Sequence, residues 1–93
     1  VNSRQEANLK IADILMETIW ERDFKFGTAL KEFAEACPQQ RAGQIICNYI
    51  CGDYREENPS PETTAFMAMM FPGNPDPFFE ESVVTLERLN GIL

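Results

Sequence analysis

The chain has 93 residues, 44% of them hydrophobic and 25% charged, which is the balance of one globular domain and excludes a disordered tail. Acidic residues outnumber basic ones by 15 to 8, and the resulting net charge of −7 repels phosphate backbones and anionic membrane surfaces, so direct binding to nucleic acid or membrane is not expected. Histidine is absent, and three cysteines without paired spacing read as reduced thiols of a cytoplasmic protein.

No apolar run approaches the roughly 20 residues that span a bilayer, and no charged-then-apolar signal segment opens the chain. Because it begins at Val1 and not at methionine, a removed leader or an expression remnant stays open.

Ser3-Arg4-Gln5-Glu6 has the form of a capping box, so a helix is expected to start there. Ala7, Ile11, Ile14, Leu15, Thr18 and Ile19 recur at helical spacing, with Asn8, Lys10, Asp13, Glu17 and Glu21 mostly on the other side. This helix is expected to reach about Asp23, with Trp20 at its rim. Phe24-Lys25-Phe26 reads as a connector, and a second helix is expected over 28–36, stopped by Cys37-Pro38.

A central helix is expected over 39–51, where Arg41, Gln44 and Asn48 fall on one face beside Ile45, Ile46, Tyr49 and Ile50. Such a polar seam suits a structural clamp or a binding groove. The clamp is preferred, since half-buried amides usually satisfy the backbone of a neighbouring segment. Residues 53–59 read as a solvated loop, and Ser60-Pro61-Glu62 as the start of a fourth helix over 61–71.

Phe66, Met67, Met69, Met70 and Phe71 make that helix almost wholly apolar, so it is either core or a docking surface, with core preferred. After the Pro72-Gly73-Asn74-Pro75 turn, Asp76 and Pro77 read as cap and first residue of a last helix over 77–90, with Glu80 and Glu81 near its positive end. Phe79, Val83 and Leu86 follow at helical spacing, with Phe78, Leu89 and Leu93 beside them, and Gly91 marks the end. The expectation is an all-α bundle of about five helices in a single domain spanning 1–93, with the first, third and last forming the main layer.

Two motifs, Arg41-x-Gly43-Gln44-Ile45-Ile46-x-Asn48 and Asp76-Pro77-Phe78-Phe79-Glu80-Glu81-Ser82, together with the Ser3 to Ile11 opening, resemble small uncharacterised bacterial and phage-encoded proteins. Those proteins pair an R-x-G-Q helix with a D-P-F-[FY]-E-E-S helix start. The resemblance covers the first, central and last helices, while residues 24–37 and 52–75 depart from it. It implies a fold and a bacterial or phage setting, and no activity. If the two motifs meet, Arg41 is expected to hold Asp76 or the cap region while Gln44 and Asn48 bond the 72–75 turn, as a structural lock.

Cys47 and Cys51, at i and i+4, are the nearest thing to a metal pair, but with no histidine and only Cys37 as a third thiol no metal or cofactor is assigned. Without histidine the commonest base for nucleophilic catalysis is missing, and the acids Asp53, Glu56, Glu57, Glu80 and Glu81 have structural roles to fill, so no catalytic residue is assigned. The preferred reading is a non-enzymatic interaction module or adaptor, homodimeric or bound to another protein through Trp20, Tyr49 and the Phe66, Met67, Met70, Phe71 segment. The rival readings are an acidic regulator that occupies a basic site on a nucleic-acid enzyme, favoured if Asp53, Glu56, Glu57, Glu62, Glu80 and Glu81 share one face, and a small metal- or carboxylate-dependent enzyme.

Overall fold

The computed structural model describes residues 2–92 and, among them, contains five α-helices and no strand. These are α1 (Ser3–Met16), α2 (Glu21–Ala36), α3 (Ala42–Ile45, continuing as a π-helical turn over Ile46–Ile50), α4 (Pro61–Met70) and α5 (Ser82–Ile92). Short 3-10 turns occupy Gly52–Arg55 and Pro77–Phe79. Leu93, placed beside Leu89 by the sequence, lies outside the described residues.

The first helix starts at Ser3, as expected, and ends seven residues sooner than expected. Its cap is Asn2 and not Ser3: the Asn2 side-chain oxygen accepts from the Gln5 amide at 2.7 Å. At the other end the Thr18 hydroxyl donates to the Leu15 carbonyl at 3.0 Å, a local bond that competes with helix continuation. Trp20 is then extended and precedes α2, whose first turn carries Glu21 and Asp23. Those acids suit the positive end of a helix and not the negative end at which the sequence reading put them.

Phe24-Lys25-Phe26 is therefore helical, and so is Gly27. A Cβ on Gly27 would lie 2.9 Å from the Ala12 carbonyl oxygen, the Leu15 Cβ and the Met16 Cγ, so glycine is what lets α2 lie directly on α1. The main packing is consequently α1 against α2 and α5, with α3 in a smaller role than expected.

One apolar cluster joins all five helices: Ile11 and Leu15 of α1, Phe26 and Leu30 of α2, Ile45 of α3, Phe66 and Met70 of α4, and Leu89 of α5. Phe26 and Phe66 meet edge to face with centroids 4.6 Å apart. Phe66, Met67, Met70 and Phe71 are all buried within the chain, so the apolar run of α4 is core and is not available as the interface it was offered as. Among the described residues no helix is long and apolar enough to cross a membrane.

Candidate functional site

The two segments that carry the motifs do meet, but through other atoms than expected. Arg41 is the residue before α3, and its amide donates to the Gln44 side-chain oxygen at 2.7 Å, half of a capping box, since a guanidinium has no acceptor to complete it. The Ala42 amide donates to the Ser82 hydroxyl at 3.0 Å in a buried bond that ties the start of α3 to the start of α5. Between them Gly43 faces Pro77 so closely that a Cβ would come within 2.0 Å of the Pro77 carbonyl oxygen.

Arg41 approaches Glu81, with Nε 3.4 Å from Oε1 but without hydrogen-bond geometry, and Glu81 also accepts from Arg4 at 2.9 Å. Asp76 neither caps a helix nor meets Arg41. Its side chain makes no cap bond, Pro77–Phe79 is only a 3-10 turn, α5 begins at Ser82, and the Asp76 carboxylate lies 3.4 Å from Arg55. Asn48 is exposed because α3 widens into the π turn after Ile45, which breaks the alignment of Arg41, Gln44 and Asn48. Gln44 serves its own helix start and does not reach the 72–75 turn.

A second set of bonds went unread in the sequence. Side chains of α1 and its cap donate to three successive carbonyls of the turn before α3: Asn2 to Pro38 at 3.0 Å, Arg4 to Gln39 at 2.8 Å, and Asn8 to Gln40 at 2.8 Å. Asn8 is fully buried for this purpose, whereas the helical pattern had put it on the solvent side. No periodicity could reveal a turn that takes its hydrogen bonds from another helix.

Glu80 forms the other polar centre. It accepts from Thr85 at 2.6 Å, from Asn74 at 3.0 Å and from Arg88, which also donates to the Met70 carbonyl and lies 6.0 Å from the centre of the Phe71 ring. Burial by itself would raise the Glu80 carboxyl, but Arg88, Thr85 and Asn74 outweigh it and hold the group below the usual carboxylate range. Asp53 is equally committed. It accepts from the Ser60 amide at 2.8 Å and the Thr63 hydroxyl at 2.7 Å, beside the expected Ser60 cap of α4, and these bonds depress its carboxyl.

The cysteine thiols sit in apolar surroundings. Burial pushes Cys47 up and raises Cys51 to about 12, so both are protonated at neutral pH and are weak nucleophiles. Among the described residues no group of three or more His, Cys, Asp or Glu side chains is placed to hold a metal ion.

A groove open to solvent runs along α1 and α5. The two helices run in the same direction, Ser3 beside Val83 at one end and Ile14 beside Leu89 and Asn90 at the other. A series of clefts connects these ends: Ser3 and Val83 belong to the first and second, Lys10 and Leu86 to the second and third, and Ile14, Glu17 and Asn90 to the third and fourth. The last cleft, of about 630 Å³, is bounded by Ile19, Trp20 and Ile92. Ile19 is 92% exposed and Trp20 63%, since α1 stops before either can turn into the core. Tyr49, the other aromatic candidate, lies apart from this groove, stacked on Phe33 at 4.7 Å. No family model, curated protein or solved structure matches this chain, and its reading rests on this geometry.

Proposed function

We propose that the protein is a bacterial or phage-encoded, non-enzymatic helical interaction module, acting in the cytoplasm, that receives a protein partner in the α1–α5 groove. One observation carries the reading: Ile19 and Trp20 stand 92% and 63% exposed at the end of a cleft continuous along two helices. Large apolar side chains that rim a groove are the usual anchors of protein interfaces. The polar groups that would serve catalysis are engaged elsewhere, Glu80 with Arg88 and Asp53 with Ser60 and Thr63.

The acidic-regulator reading receives less support. Of the six acids it requires on one face, Glu80 pairs with Arg88, Glu81 with Arg4, and Glu62 lies 3.8 Å from Lys25, while Asp53 accepts from Ser60 and Thr63 at the start of α4.

The test is native mass spectrometry of the protein isolated from its own host, wild type beside Ile19→Glu. The expected result is a stoichiometric protein partner, or a second copy, on the wild type that the variant loses, with melting temperatures within about 3 °C of each other. Bare monomers in both samples, or a partner retained equally by both, would contradict the reading.

A further inference from the structure

The groove is graded in charge along its length. From the Ser3 end to the middle of the groove the charges are paired, Arg4 with Glu81 at 2.9 Å and, beside Asp13 in the third cleft, Lys10 with Glu6 at 3.4 Å. Toward Trp20 its rim carries Asp13 and Glu17, both exposed and neither in an ion pair among the described residues. The lining follows the spacing of packed helices, with Ser3, Ala7, Lys10 and Ile14 of α1 and its C-cap Glu17 at alternating steps of four and three, and Val83, Leu86 and Asn90 of α5 at three and four. Such a seam between two parallel helices is shaped for a third helix. At 14 residues α1 is about 21 Å long, enough for four anchor positions of a helix laid along it.

We propose that the occupant is one amphipathic helix of another protein, apolar along a single stripe and rich in lysine or arginine at the end that reaches Asp13 and Glu17. This rests on the interaction reading above and goes further in naming the partner's chemistry. The charge gradient selects it. A second copy of this chain would bring its own Asp13 and Glu17 into a field that already carries a net charge of −7, and like charges brought together oppose association.

The test uses two designed helical peptides of about 18 residues, each with leucines at i, i+4, i+7 and i+11. One carries lysines clustered at one end of the stripe and the other carries glutamates at the same positions. Binding in either direction can bring that end to the acids. Trp20 is the only tryptophan in the chain and bounds the groove, so its emission reports occupancy.

The expected result is a blue shift of Trp20 with the lysine peptide and binding weaker by about tenfold with the glutamate peptide at low ionic strength. The preference should disappear or reverse in the Asp13→Lys, Glu17→Lys double variant, whose changes fall on exposed positions. Equal binding of both peptides would overturn the charge assignment and leave the interaction reading standing. Failure of both peptides on a protein that sediments as a dimer would make the occupant a second copy and overturn the inference. Failure of both on a monomer would overturn the inference and the groove reading together.

Discussion

Arg88 does three things at once: it neutralises Glu80, satisfies the last-turn carbonyl of Met70 and covers the face of Phe71. Replacing it with methionine keeps most of the stem but leaves the Glu80 carboxylate, whose side chain is 9% exposed, without a counter-charge. Arg88→Met should therefore cost about 3 kcal/mol at neutral pH, the scale of a broken buried pair, read from urea unfolding. The folded Glu80 carboxyl is depressed relative to the unfolded chain, so its contribution is full above the unfolded value of about 4.3 and fades as pH falls through the lower folded value. The gap between wild type and Arg88→Met should shrink below about pH 4, and a constant gap would contradict the pairing. None of this was legible in the sequence, where Glu80 suited a helix start. Its partner is eight residues away and becomes adjacent only because α5 begins at Ser82.

The elements were legible where local chemistry decides them. Ser60-Pro61-Glu62 opens α4 as expected, and Ala7, Ile11 and Leu15 of the helical pattern of α1 reach the core. The misreadings have a common cause. Gly27 lies between the expected connector and the helix expected from residue 28 and is a contact point with α1, because glycine's weak helix propensity, a cost of about 1 kcal/mol, is offset by the close approach it permits. Asp76-Pro77 looked like a helix start and is a 3-10 turn, because Pro77 must hold its carbonyl against Gly43 before the chain can enter α5. The R-x-G-Q glycine is thus required by tertiary packing. Gly43→Ala should lower stability by about 3 kcal/mol, since backbone and not a flexible side chain stands in the way. Gly52→Ala, with nothing within 4 Å of its Cβ, should stay within about 0.5 kcal/mol of wild type. Thermal unfolding of both variants tests the contact, and equal effects would remove it.

For the whole molecule, the distribution of paired and unpaired groups separates what holds the fold from what faces outward. The Arg41–Ser82 region, which the sequence put forward as a seam for folding or for binding, is filled: Gly43 lies against Pro77, Ala42 bonds Ser82, and Asn2, Arg4 and Asn8 strap the preceding turn. The α4 run, for which core was preferred over a docking surface, is core. Trp20 alone among the interface candidates borders the groove, and its role was half legible: an aromatic at the rim of α1 was foreseen, but the early stop at Met16 that strands Ile19 beside it was not. The most direct measurement is amide hydrogen exchange of the protein alone and saturated with the lysine peptide. The account predicts that protection gained on binding is confined to α1, the 17–20 turn and α5. Protection centred instead on residues 41–50 and 76–80, with α1 and the 17–20 turn unchanged, would contradict it.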